Sequence, residues 1–411
     1  MPQIIASVVP LLVGWAILNA GNNLQVILLP LRAGLEAFPT TVIGLMGGAY
    51  YLGFITGCLL LPRLIGRVGH IRAFAALAAV AATVAMAHGL LIVPEAWVLL
   101  RAVTGAAIAG LCLVVESWLN ERSENATRGR VLSFYMTVNA VAAAAGQMLL
   151  PLTDVVAMVP FALASMMMTL SLVPVSAAAN GAPAPAPDTP LDLGSLYRLS
   201  PVGVVGCFAL GLANASFWAL APVFAQARGL SIAEVAMMTS AAVAGGALAQ
   251  WPLGRLSDRV DRRRVIFGAA LVAGAVAAGL AVGASYPTPL VVAAAGLFGA
   301  AAFPIYALCI AHANDHLGGR GFVAASGGLL LVFGLGAVIG PVASSILMGA
   351  YGDGSLFLFT AAAHAGLALF TWHRMRIRAP VPAAERSEFV ALPRTSPAVF
   401  ALDPRAEDDC E

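Results

Sequence analysis

Apolar runs long enough to cross a lipid bilayer recur twelve times along this chain, and that feature decides its class. A spanning helix needs about 20 mainly apolar residues, because backbone amides in hydrocarbon can pair only within the helix itself. Bounded by Pro, Gly and charge, the runs lie near 5–31, 41–61, 73–93, 97–119, 131–152 and 155–174. A second set lies near 202–226, 233–253, 265–285, 290–313, 322–349 and 356–372. Of the 411 residues 60% are hydrophobic and only 10% charged, against roughly 45–50% and about 25% in soluble proteins. This excludes a soluble globular enzyme, a disordered protein and a nucleic-acid binder. The 42 glycines and abundant alanines suit helices that approach closely in lipid. The expected fold is an all-α membrane protein.

Charge position gives orientation. All 22 basic residues are Arg, and basic residues are retained on the cytoplasmic face. With the N-terminus inside, nineteen arginines fall in cytoplasmic loops and the tail, among them Arg63, Arg67, Arg72, Arg122, Arg128, Arg130, Arg198, Arg320 and Arg405. Only Arg32 and Arg228 fall outside, and Arg101 lies within a span. An odd helix count scatters these charges over both faces. Twelve spans with both termini cytoplasmic fit them, in the inner membrane of a cell.

Residues 1–174 are expected to form one six-helix bundle and 201–372 another. Residues 175–200, rich in Ala and Pro, read as a flexible cytoplasmic linker. Residues 373–411, polar and Pro-containing, read as a disordered cytoplasmic tail. The first run carries no basic n-region and exceeds a signal-peptide core, so it is expected to remain as a helix. The five cysteines, at 58, 112, 207, 309 and 410, show no metal or redox spacing.

The halves repeat. A shift of 192 lays Pro62-Arg63-Leu64-Ile65-Gly66-Arg67-Val68 over Gly254-Arg255-Leu256-Ser257-Asp258-Arg259-Val260, Pro30 over Pro222, and Arg128-Gly129 over Arg320-Gly321. Small slips align Asn120-Glu121 with Asn314-Asp315, Gly146 with Gly340 and Asn19-Ala20 with Asn214-Ala215. Agreement at polar positions is what two parallel repeats of a transporter produce.

Six plus six helices with a basic loop between the second and third of each half resemble the major facilitator superfamily, over roughly residues 5–372. The stretch Gly254–Arg264 is similar to that family's loop signature G-x-L-x-D-R-x-G-R-R, with Asp261 where Gly is usual; the first-half copy lacks the Asp. The resemblance implies two pseudo-symmetric bundles and a gating latch at Asp258 and Arg259. There an Asp heading the loop accepts from a neighbouring helix N-terminus. Topology alone also accounts for so many arginines. Arg101-Ala102-Val103-Thr104-Gly105 resembles the R-x-x-x-G element of the fourth helix, whose Arg faces the central cavity. An Arg this deep faces water or solute, or snorkels to the interface. The run Val115–Arg122 with Arg128-Gly129-Arg130 and Ala311–His316 resembles a poorly characterised bacterial branch. Glu116 is the one carboxylate well within a span. It either pairs with Arg67 or Arg130 in an inner gate or reaches the cytosol.

Polar groups in the first helix stand out. Asn19, Asn22 and Asn23 share one helical face, with Gln25 elsewhere. They either line a cavity for a polar solute or bond across to a neighbouring helix. Asn214 holds the matching place in the seventh helix, and Asn139 and Gln147 share a face in the fifth. Gln250 is placed at the end of the eighth helix as a cap. His88, His312 and His364 read as packing residues, His312 being the best placed for protons.

These features point to a secondary active transporter of a small solute working by alternating access. The resemblance implies protons as coupling ions. Yet the first helix lacks a carboxylate, and Gly146-Gln147 stand where the drug-antiporter branch has Gly-Pro. Absence of Lys excludes a phosphate-binding G-x-x-x-x-G-K-[ST] loop. No acid–base or metal cluster suggests an enzyme, and no cofactor is expected. The alternative is a non-transporting receptor or scaffold on a transporter fold. Expected partners are the solute, the lipid bilayer and protons, without nucleic acid, for a chain acting as a monomer.

Overall fold

The computed structural model describes residues 2–123, 125–176, 193–283, 286–317, 321–382, 386–403 and 406. Arg320, Arg405, Cys410 and residues 177–192 of the expected linker lie outside them. Among the described residues no strand forms. The helices are α1 (Pro2–Leu35), α2 (Thr40–Val68), α3 (His70–Leu90), α4 (Pro94–Glu121), α5 (Asn125–Leu149), α6 (Val159–Leu170), α7 (Leu172–Ser176) and α8 (Leu193–Leu199). There follow α9 (Pro201–Ala227), α10 (Ile232–Arg259), α11 (Arg262–Val282), α12 (Thr288–Ala302), α13 (Ile305–Asn314), α14 (Phe322–Tyr351) and α15 (Ser355–Ile377).

Among these residues twelve segments are long and apolar enough to cross a bilayer, as expected. Two of them are interrupted: α6 with α7, and α12 with α13. The second break falls at Pro304, which has no N–H to donate and whose ring crowds the preceding turn. The charged connections are shorter than the sequence suggests, because Arg and Leu extend a helix readily. α2 runs on to Val68, leaving only Gly69, at φ +85°, to turn the chain into α3. A side chain there strains the backbone, so Gly is required. Likewise α10 continues nine residues past Gln250, which therefore caps nothing.

The chain forms two compact units. The first holds Met1–Phe38, Ala49–Thr189 and Pro393–Ala406; the second holds Pro39–Gly48, Pro190–Leu392 and Glu407–Glu411. In the first, α1 packs on α5 and α6, and α3 on α4 and α6. In the second, α9 packs on α14 and α15, α10 on α12, and α11 on α15. The repeat-matched glycines do matching work. A Cβ on Gly146 would stand 2.1 Å from the Ala20 carbonyl oxygen, and one on Gly340 would stand 2.2 Å from that of Leu212. The first lets α5 touch the backbone of α1, and the second lets α14 touch that of α9.

The two arginines on the expected outer face are bonded within their units. Arg32 pairs with Glu36 at 2.7 Å and donates to the Val155 carbonyl at 2.9 Å. Arg228 lies 4.9 Å from the Phe224 ring and donates to the Ala281 carbonyl at 3.3 Å. Cys58, Cys112, Cys207 and Cys309 are unbridged thiols.

Two expectations about connecting segments are corrected. The end of the linker is helical: α8 leads to Ser200, whose hydroxyl accepts from the Gly203 N–H at 3.2 Å and caps α9. The tail is not disordered throughout. α15 extends to Ile377, and Ser396 caps a 3₁₀ turn, Pro397–Leu402, against α4 and α5. Val399, Phe400 and Leu402 are fully buried there. Burying three large apolar side chains, each worth about 1.5–3 kcal/mol, offsets the entropy of ordering so short a segment.

Candidate functional site

The amide stripe of α1 is bonded across helices in the first unit. Asn19 Nδ2 donates to the Asn139 Oδ1 at 3.2 Å and to its carbonyl at 3.3 Å. Asn23 Nδ2 donates to Asn19 Oδ1 at 2.9 Å, and Trp15 Nε1 to Asn139 Oδ1 at 2.8 Å. Three of the amides expected to line a cavity thus form one ladder, which Gly146 makes possible by bringing α5 against α1. Asn22 differs. It is buried, and its Oδ1 finds no partner. Gln147 is fully buried on α5. Asn214 belongs to the second unit, fully buried with neither amide atom bonded.

Arg101 lies over the face of Tyr50, its guanidinium carbon 4.3 Å from the ring centroid. Its Nη1 is buried without a hydrogen-bond partner, and no carboxylate among the described residues pairs with it. Close packing sets this contact. A Cβ on Gly105 would stand 1.9 Å from the Tyr50 carbonyl, and one on Gly53 equally close to that of Ala102. These glycines let α2 and α4 touch, which places Tyr50 beneath Arg101. The aromatic face attracts the cation without neutralising it. A second hydrogen-bonding group of opposite charge is what this site lacks.

Glu116, in the last turns of α4, is fully buried. The Tyr135 hydroxyl donates to its Oε1 at 2.8 Å. Thr395 and Ser396 of the tail also donate, to Oε1 and Oε2. The expected pairing with Arg67 or Arg130 is therefore corrected. Both arginines are exposed, and three hydroxyls meet the carboxylate instead. Burial of an anion is tolerable when charge-assisted bonds replace its water. Tyr135 in turn sits one turn from Asn139 on α5.

In the second unit the loop signature makes a dense network. Arg262 pairs with Asp258 at 3.2 Å and with Asp315 at 2.7 Å, and donates to Ser257 Oγ at 3.0 Å. The sequence places Asp258 at a neighbouring helix N-terminus, but Asp261 takes that role. Its carboxylate accepts from the Arg263 N–H at 3.0 Å and pairs with the Arg263 guanidinium at 2.8 Å. Burial raises the Asp261 carboxyl, but the Arg263 side chain and backbone bonds outweigh it and hold it below 3.8. Asp258 accepts the Phe389 N–H of the tail, at 2.9 Å. Arg259 ends α10 exposed, with no ion pair among the described residues, so it takes no part in the network.

Sequence reasoning missed Tyr50, Tyr135, Trp15 and the tail hydroxyls. Only the apolar cluster Val399-Phe400-Ala401-Leu402 hinted that the tail packs. Gln25, placed off the stripe, is fully buried with neither amide atom bonded. His88 and His364 bond backbone carbonyls one turn back, at 2.8 and 2.7 Å, as packing residues do. Among the described residues no three His, Cys, Asp or Glu stand together as metal ligands.

An uncharacterized MFS-type transporter of Enterobacter sp. (strain 638) is 28% identical over 356 residues, covering 85% of this chain and 91% of that protein. The uncharacterized MFS-type transporter YcaD of Escherichia fergusonii is 28% identical over 340 residues, covering 81% and 87%. Among solved structures, the nucleoside transporter NupG matches with a TM-score of 0.76 at 13% identity, covering 90% of this chain and 100% of that one. A D-xylose-proton symporter matches with a TM-score of 0.68 at 15% identity, covering 92% and 99%. The likeness to these two shows the fold alone. The family model described as Major Facilitator Superfamily matches residues 11–232 and 203–402. Twelve spanning helices in a six-plus-six repeat, and a family model that covers both halves, place this multi-pass membrane protein in the major facilitator superfamily.

Proposed function

We propose that this protein is a secondary active transporter that moves a small anionic solute across a bacterial cytoplasmic membrane by alternating access. Both termini lie in the cytoplasm. The observation that carries the solute class is Arg101, a cation inside a span that rests on Tyr50 with an unbonded Nη1 and no carboxylate partner. An uncompensated guanidinium in a spanning helix costs about 2.5–3.5 kcal/mol at the helix centre. A carboxylate or phosphate on the solute recovers that cost through bidentate bonds. Tyr50 offers its ring beside the charge, and Asn22 offers an amide with a free oxygen. Asn19, Asn23 and Asn139 act as the scaffold behind them. Asn214 and Gln147 are proposed as further solute contacts.

Proton coupling is carried over from the family, in which one structural neighbour is a proton symporter. Collapsing the pH gradient with an ionophore then slows uptake. Indifference to the gradient removes proton coupling and leaves the transporter reading intact. The decisive experiment is counterflow in proteoliposomes across a panel of organic anions, amino acids, sugars and nucleosides. Anions are expected to exchange, and Arg101→Ala to lower exchange at least tenfold while Arg101→Lys retains part of it. Exchange of neutral solutes only, or an unaffected Arg101→Ala variant, overturns the anion assignment. Flux of none of these solutes through folded protein counts against transport itself.

A further inference from the structure

Within the second unit α10, α11 and α12 enclose an apolar groove with a cation at one end. Its volume is about 480 Å³, within the roughly 300–1,000 Å³ of small-molecule sites. Leu253, Leu256, Val272 and Leu297 are among its walls, and Arg264 is the one charged residue that lines it. Leu256, Val272 and Leu297 are exposed, on helices apolar and long enough to span a bilayer. From Arg264 to Val272 the groove runs eight residues along α11, about 12 Å at the helical rise. That is close to the depth of one leaflet of a hydrocarbon core about 30 Å thick. Gly268 lies midway, and a Cβ there meets nothing within 4 Å. By contrast, a Cβ on Gly299 of α12 would stand 2.0 Å from the Ala242 carbonyl oxygen of α10. Gly299 serves helix contact, whereas Gly268 admits no neighbouring helix and keeps the middle of the groove open.

Three arginines open α11 in succession, and their surroundings differ. Arg262 is held by Asp258 and Asp315, and Arg263 by Asp261. Both are buried. With those three aspartates engaged, the Arg264 side chain is exposed and makes no hydrogen bond or ion pair among the described residues. Arg259, three residues beyond Leu256 on α10, is a second exposed cation at this end without an ion pair among them. We propose that the groove is a binding site for an anionic phospholipid. One acyl chain lies along Gly268, and the phosphate headgroup sits on Arg264 and Arg259. On the orientation proposed above, the lipid comes from the cytoplasmic leaflet. Charge complementarity selects the headgroup, because a guanidinium bonds a phosphate through two parallel N–H groups while its stem covers apolar surface. A zwitterionic headgroup brings its own cation beside the arginines and gains less. Topology alone asks for a cation on this face, not for one at the mouth of an apolar groove.

Native mass spectrometry of the full-length protein in detergent tests this without a known solute. The protein is titrated with dioleoyl phosphatidylglycerol or with phosphatidylcholine of the same chains. Wild type is expected to bind phosphatidylglycerol at least fivefold more tightly. Arg264→Gln is expected to weaken phosphatidylglycerol at least fivefold and to leave phosphatidylcholine unchanged. Gly268→Leu, which fills the groove from an open position, is expected to weaken both lipids at least fivefold. Equal binding of the two lipids by wild type, or phosphatidylglycerol binding unchanged in Arg264→Gln, overturns the headgroup assignment. Binding unchanged in Gly268→Leu overturns the groove as the site. Displacement of phosphatidylglycerol by inorganic phosphate alone shows that a free anion suffices and overturns the lipid as occupant. None of these readouts needs flux, so failure here is distinct from failure of the transporter reading.

Discussion

Replacing Arg101 by Met is expected to stabilise the solute-free protein while abolishing its response to solute. The side chain keeps its unbranched stem and loses its charge. Two effects oppose each other. Stacking on Tyr50, at 4.3 Å, is worth about 1 kcal/mol and is lost. Against this, an Arg at the centre of a spanning helix costs about 2.5–3.5 kcal/mol. Arg101 stands seven residues in from Pro94, about 10 Å along the helix, and is partly exposed. Roughly two-thirds of the full penalty, about 2 kcal/mol, therefore applies. The difference favours Met by about 1 kcal/mol, equivalent to roughly 2–4 °C in apparent Tm for a unit of this size. Thermal unfolding in detergent, followed by tryptophan fluorescence, measures it. An anionic solute raises the wild-type midpoint as its concentration passes the Kd and leaves the Met variant where it was. A Met variant that melts 2 °C or more below wild type refutes the reasoning, because Arg101 then has a structural partner.

Two more predictions concern the carboxylates. Tyr135→Phe removes the 2.8 Å donor to Glu116 and is expected to cost about 1.5–3 kcal/mol, as a bond to a charged group does; an unchanged melting point sinks that assignment. Asp261→Ala removes the cap of α11 and is expected to cost about 1 kcal/mol. Because the Asp261 carboxyl is held below 3.8 in the folded chain, this contribution is fully present above pH 3.8 and is lost as pH falls through the lowered value. The gap between wild type and variant therefore stays constant at neutral pH and closes only in acid; a gap that closes near neutrality contradicts it.

The loop signature shows where residue patterns stop being informative. Gly254 and Asp258 are visible as a motif, but their partners lie more than a hundred residues away in the tail, at Phe389. Asp261 looked like a departure from the pattern and is the residue that caps α11. The amide stripe of α1 was legible from the 100° rotation per residue. Whether it faced a cavity or another helix was not, because that depends on how closely α5 approaches. In the fold Gly146 admits the Ala20 backbone and brings Asn139 to Asn19.

Apolar length, arginine position and internal repetition were enough to determine the membrane class, the number of spans and the family, because bilayer thickness acts on each segment independently of its neighbours. Tertiary structure alone decided what meets Glu116, what lies under Arg101 and whether the tail packs. Those outcomes depend on contacts between segments far apart in the chain. A carboxylate in an apolar helix states only that it needs donors, and the close packing of this fold chose Tyr135, Thr395 and Ser396 to supply them.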